Sequence, residues 1–349
     1  MDSPATQRIT EQPAGPDAGR GITSARNTPA AASARATARA AAKPAGARAK
    51  LFRFVADVKV LLHQSFLIAA SFLPEKFAYG IVARSGRVHY RRGRGAAQGI
   101  LNEIKAGLGI EEKDAERVLE KIFEYSAWRN LEFWRSPRLN KQEMEQLVEL
   151  RGLDNLRKAL AKGKGAILCT GHIRSLIPFF LAMIHQEFKV NAVRRNAIKV
   201  QGTLGRWLVR KRSLIGSEDV NFIWMNAENL KAAVQVAQAL RRNELVVFTS
   251  DVRHGAETIP VEFLRKEYRF PTGHVPLAQA TGAPLVNYFM YHQKDSFRQC
   301  IEFDEPIWPT GDPDTVAKQT FARLEENIVK HPADWVWFSE RELWKNPND

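Results

Sequence analysis

Only two cysteines occur in 349 residues, Cys169 and Cys300, and both sit in strand-like apolar runs. Two thiols cannot form a disulfide framework, and no CxxC pair or Cys/His cluster offers metal-ligand spacing. No metal is expected, and a reducing compartment is the simpler setting. Neither a GxGxxG fingerprint nor a Walker-type loop is present, so nucleotide binding has no motif and no cofactor is expected. An uninterrupted spanning segment of roughly 20 mostly apolar residues is also missing. The apolar stretch 52–73 is broken by Arg53, Asp57, Lys59, His63 and Gln64. Residues 1–50 contain no aromatic residue and just two large aliphatics, Ile9 and Ile22. They cannot bury a core and are expected to be a disordered basic Ala/Arg-rich tail. The apolar h-region of a secretory signal is absent there, and a start placed too far upstream is the other reading of the segment.

What remains is ample for a sizeable core, with 44% hydrophobic and 26% charged residues and a net charge of +14. Residues 1–50 carry eight Lys/Arg and three Asp/Glu, which leaves a net +9 for residues 51–349. A basic folded part draws acidic partners: anionic lipid, nucleic acid or an acidic carrier protein. Nucleic acid is the weakest of these, because no recognition motif and no aromatic–basic interleaving is present.

The folded part is expected to be a single α/β domain over 51–349. Residues 51–95 form a helical segment with two readings, a membrane-facing amphipathic helix or an ordinary core-packing one. A cluster of Arg84, Arg87, Arg91, Arg92 and Arg94 follows the helix and fits a headgroup-facing patch on the first reading. Residues 96–162 read as a helical lead-in, with Val118, Ile122 and Tyr125, then Leu147, Leu150 and Leu153, at helical spacing. After Gly163-Lys164-Gly165 the pattern alternates. Strands are expected at 166–170, 189–194, 221–224, 245–250, 284–291 and 298–303. Helices are expected at 174–187, 200–212, 226–241, 272–281 and 313–330. This is the pattern of a mixed, mostly parallel sheet covered by helices on both faces.

Sites in open α/β sheets gather at the carboxyl ends of strands. The first strand here runs into His172, a residue type that titrates near neutrality and suits general-base work. The bland alternative is a satisfied turn histidine. The second strand ends at Arg194-Arg195-Asn196 and a later one at Ser250-Asp251-Val252-Arg253-His254-Gly255. Thr272-Gly273 stands where a residue can cap a helix and present its N–H groups to an anion or oxyanion. A base, paired arginines, a carboxylate and a helix start are the parts of an acyl- or phosphoryl-transfer site. Trp335, Trp337 and Phe338 read as packing residues. Arg206, Arg210, Lys211 and Arg212 read as a solvated helix face or a carrier-protein dock.

The order of these segments resembles the bacterial lipid A late acyltransferases, glycerolipid-acyltransferase-like enzymes with an H-x4-D/E motif. The similar stretches are Gly163-Lys164-Gly165 through Gly171-His172, Val193–Asn196, Phe248–Gly255, Val261-Glu262-Phe263 with Phe270-Pro271-Thr272-Gly273 and Leu277–Pro284, and His331–Phe338. The resemblance implies a peripheral or N-terminally anchored enzyme on the cytoplasmic face of the bacterial inner membrane. Such an enzyme moves a fatty acyl chain from acyl carrier protein to a hydroxyl of a lipid A-like or related acceptor. It implies His172 as the base, and Arg194 and Arg195 as ligands of phosphate or oxyanion. Acyl carrier protein is acidic and anionic lipid is negative, which suits the basic folded part.

One departure stands out. The motif acid, five places after the histidine, is Ile177 here, and Glu187 is the next carboxylate along the chain. Loss of such an orienting acid in a Ser-His-Asp triad costs on the order of 10⁴ in rate. Three readings follow: Asp251 takes over the task from another strand end, the substrate's own charge does so, or the protein binds lipid or carrier protein without catalysis.

Overall fold

A computed structural model describes residues 47–93, 95, 97–173, 176–195, 220–225, 230–251, 257–294 and 296–336. The chain divides into two units, Met1–Val55 and Ala56–Asp349. Most of the Ala/Arg-rich tail, Arg94, Asn196, Arg206 to Arg212, Arg253 to Gly255, Trp337 and Phe338 lie outside the described residues.

A seven-stranded sheet organises the second unit. Its strands are β1 (Val148–Arg151), β2 (Ala166–Thr170), β3 (Val190–Arg195), β4 (Asn221–Met225), β5 (Leu245–Thr249), β8 (Leu285–His292) and β9 (Gln299–Phe303); β6 and β7 form a separate hairpin. The spatial order is β1-β9-β8-β2-β5-β3-β4. Every neighbouring pair is parallel except β8 with β9, so the mixed, mostly parallel sheet flanked by helices is the fold observed.

The central strands are apolar on both faces, as strands covered from two sides must be. Ile167 and Cys169 of β2 face one core with Val246, Leu285 and Phe289. Ala166 and Leu168 face the other with Val247, Val286 and Tyr288. The first core is filled out by Ala232, Val236 and Leu240 of helix Leu230–Arg241 and by Phe321 and Leu324 of helix Pro313–Lys330. Phe179, Phe180 and Met183 of helix Leu176–His185 enter the second. Gly165 opens β2 with φ 67°, and a Cβ there would stand 2.7 Å from the Glu244 carbonyl oxygen. Only glycine combines that conformation with that approach.

The helical lead-in is interrupted. Leu147 ends one helix (Lys141–Leu147), Leu153 begins another (Leu153–Leu160), and Leu150 between them belongs to β1. Four residues are too few for a period-2 pattern to stand out from the helical spacing on either side. Register with β9, from Val148↔Gln299 to Arg151↔Glu302, decides the conformation. The hairpin of β6 (Thr258–Phe263) and β7 (Lys266–Pro271) also goes beyond the expected elements. Its turn places Leu264 and Arg265 at φ 49° and 60° without glycine or asparagine. Tertiary contacts compensate: Leu264 is buried and its N–H donates to Glu325 Oε1 at 2.7 Å.

The first described helix, Ala47–Ala70, continues through a turn into Glu75–Arg92. The inward positions include Gln64, whose amide oxygen accepts from Trp134 Nε1 at 3.1 Å, along with Leu67 and Ala70. Leu62, Phe66, Phe72, Phe77, Ile81 and Val88 are exposed. One of the polar residues that interrupt the apolar run therefore points inward, and much of the apolar surface points out. Arg84, Arg91 and Arg92 are exposed, whereas Arg87 pairs with Glu124 at 3.2 Å. Among the described residues no helix is long and apolar enough to cross a membrane.

His274, in the first turn of helix His274–Thr281, is buried, and burial lowers its pKa to about 4. The unfolded chain takes up this proton near 6.5, so stability should fall as pH drops from about 6.5 towards 4. The expected loss is on the order of 3 kcal/mol. Urea denaturation across that window should show it, and His274→Leu should flatten the slope.

Candidate active site

β2 and β5 lie side by side with Thr170 opposite Thr249, and the Ser250 N–H still donates to the Thr170 carbonyl at 2.8 Å. His172 and Asp251 each stand two residues beyond that register pair, at the same end of neighbouring strands. The parallel ladder itself brings them together. Asp251 Oδ1 lies 2.6 Å from His172 Nδ1, and Oδ2 accepts the backbone N–H of His172 at 2.7 Å. The carboxylate is fully buried, while the histidine side chain keeps 28% exposure. Gly171 permits the approach, since a Cβ there would stand 2.9 Å from Asp251 Oδ2 and 3.0 Å from Leu324 Cδ1.

Burial alone would raise the Asp251 carboxyl. The charge and ring hydrogen bond of His172, its backbone N–H and the indole of Trp335 outweigh that and hold it below its ordinary value. Trp335 Nε1 donates to Asp251 Oδ2 at 2.9 Å. An ionised carboxylate only accepts hydrogen bonds, so the shared proton sits on His172 Nδ1. In the neutral ring the lone pair is then on Nε2, the arrangement a general base requires. The orienting task of the motif acid can thus be met from β5. Ile177 is buried in the first turn of helix Leu176–His185.

The other expected site residues are placed differently. Arg194 is half-buried near the end of β3, with its guanidinium 4.2 Å from the centre of the Phe222 ring and its pKa lowered by burial. Among the described residues no hydrogen bond joins it to His172 or Asp251. Arg195 pairs through its backbone with Met225, and its side chain lies outside the described residues. Thr272 does not cap the helix that follows. The N-cap is Gly273, no side chain caps it, and Thr272 is buried with its carbonyl accepting the Val275 N–H at 2.8 Å. β7 runs as far as Pro271, which leaves Thr272 between strand and cap with its N–H donating to Glu257. Trp335 was legible in sequence only as a packing residue, because its partner lies 84 residues away. Its one cue was the polar Asp334 directly before it.

Asp251 has its folded pKa below the ordinary 3.8, so its contribution to stability is present above that value and fades as pH falls through the lower folded one. Acid unfolding followed by circular dichroism from about pH 5 to 2 should therefore be shallower in Asp251→Asn than in the wild type.

The model of the family described as bacterial lipid A biosynthesis acyltransferase matches residues 47–346. A phosphatidylinositol mannoside acyltransferase of Mycobacterium tuberculosis is 26% identical over 212 residues, covering 60% of this chain and 64% of the relative. One from Mycolicibacterium smegmatis is 21% identical over 277 residues, covering 75% of this chain and 84% of the relative. The match with the first relative thus spans less than two thirds of that protein's length. Resemblance over the single stretches is modest, but the family match takes in the sheet, the His172–Asp251 pair and the C-terminal turn together. This chain belongs to the bacterial lipid A biosynthesis acyltransferase family.

Proposed function

We propose that this chain is a membrane-associated acyltransferase that moves a fatty acyl group from the thioester of an acyl carrier protein to a hydroxyl of a sugar-bearing membrane lipid. The observation that carries the reading is the 2.6 Å contact of His172 Nδ1 with the buried Asp251 carboxylate. His172 Nε2 takes the proton of the acceptor hydroxyl as its oxygen attacks the thioester carbonyl. The tetrahedral oxyanion then collapses, the C–S bond breaks, and the departing thiolate receives the proton from Nε2. Asp251 holds the tautomer and stabilises the imidazolium between the two steps. Arg194, a half-buried cation at the same end of the sheet, is assigned to a phosphate of the acceptor lipid. The names of the family and of the mycobacterial relatives, lipid A and phosphatidylinositol mannoside, support a sugar-bearing acceptor.

The setting proposed is the cytoplasmic face of a membrane, and membrane association itself is supported by the helices Ala47–Ala70 and Glu75–Arg92 and the turn between them. Leu62, Phe66, Phe72, Phe77 and Ile81 are exposed there beside Lys76, Arg84 and Arg91. Apolar side chains interleaved with cations suit the headgroup boundary of an anionic bilayer.

Labelled acyl carrier protein incubated with a bacterial lipid extract should transfer label to lipid. His172→Ala should lower the rate about 10³-fold, and Asp251→Asn by a similar order. A folded wild-type protein that binds lipid or carrier without transferring label would sustain the non-catalytic reading instead. Vesicle flotation tests the membrane face separately. The double variant Phe72→Ser, Phe77→Ser should bind anionic phospholipid vesicles at least about tenfold more weakly, since two aromatic side chains no longer leave water.

A further inference from the structure

The C-terminal turn 331–336 lies against the His172 loop, and it meets both members of the pair. The backbone of Trp335 bridges Ile173 in antiparallel fashion, and the Val336 N–H donates to the His172 carbonyl at 2.8 Å. The Trp335 indole N–H reaches Asp251 Oδ2 at 2.9 Å. That oxygen also accepts the His172 backbone N–H, which leaves Oδ1 directed at the ring. With Oδ2 held by two fixed donors, the carboxylate has one orientation in which all three bonds form.

The turn is itself anchored. Asp334, directly before Trp335, bonds His292 Nδ1 at 2.8 Å, and the His292 backbone N–H donates to both of its carboxylate oxygens at 3.2 and 3.3 Å. Both side chains are buried. The His292 ring lies 3.8 Å from the Tyr125 ring and 4.7 Å from that of Trp128. The indole of Trp335 packs edge-on against Phe263 with centroids 5.9 Å apart. A donor on so fixed a turn supplies geometry as well as a hydrogen bond.

We propose that Trp335 is a positioning residue for acyl transfer, one that fixes the rotamer of Asp251 through its indole N–H and thereby the ring orientation of His172. This rests on the acyltransferase reading above. Trp335 need touch neither substrate nor the reacting atoms; it acts through Asp251.

The test compares the full-length wild type with Trp335→Phe, which keeps an aromatic ring and removes the donor. Loss of a hydrogen bond to a charged group predicts a fall in kcat of about tenfold or more. KM for acyl carrier protein should stay near the wild-type value, while Tm should fall by a few degrees because the buried carboxylate loses one donor. In the Asp251→Asn background the same substitution should change the residual rate less than about twofold, because the group through which it acts is already altered. Equal losses in both backgrounds, or a Trp335→Phe enzyme as fast as the wild type, would overturn the proposal. A second measurement does not depend on turnover. In ¹⁵N-labelled protein, Asp251→Asn should move the Trp335 indole N–H resonance upfield, and an unmoved resonance would also overturn the proposal. Absence of transfer by the wild type, with that resonance shifting as expected, would sink the acyltransferase reading while leaving the Trp335–Asp251 link intact.

Discussion

The buried carboxylate of Asp251 is the constraint around which the site is built. An ionised carboxylate without partners in an apolar interior is costly enough that it would take up a proton instead. Here it meets three donors: the His172 ring, the His172 backbone N–H and the Trp335 indole. They come from two segments, the β2 loop and the C-terminal turn, and converge on a residue carried by β5. The hydrogen bonds that keep the charge tolerable also fix which nitrogen of His172 carries the proton. Stability and chemistry therefore draw on the same contacts, and removing any one donor disturbs both.

This arrangement gives His172 a carboxylate partner although the motif position holds Ile177. In an H-x4-D/E turn the carboxylate sits on the same loop and helix as the histidine, so its position depends on how that helix packs. Asp251 instead hangs from a parallel neighbour whose register with β2 is set by five consecutive residue pairs, from Ala166↔Leu245 to Thr170↔Thr249. With the carboxylate supplied from across the sheet, position 177 can be given over to core packing, which is where the Ile177 side chain lies.

Much of this was legible in the chain itself. Six of the eight strands after Gly165 are legible because they are short, largely apolar runs bounded by polar turns. His172 and Asp251 stood out as polar residues just past strand ends. The omissions share one cause, which is that long-range partners override local pattern. β1 is a strand because β9 is beside it, and its Leu150 is otherwise indistinguishable from a helical position. The β6–β7 turn uses Leu264 and Arg265 where local chemistry would want asparagine or glycine, and only its contact with Glu325 makes sense of it. Gln64 looks like a break in an apolar face until Trp134 accounts for it. Thr272 has the chemistry of a cap but is displaced by the length of β7.

The two acidic side chains tied into the C-terminal turn have a bearing on local opening. Surface turns usually open at little expense, and they do so without disturbing the interior. Peeling back residues 334 and 335 would deprive His292 of Asp334 and Asp251 of Trp335 in one step. Opening of the 331–336 turn is thereby coupled to the loss of two buried hydrogen-bonded contacts at once, one of them inside the site.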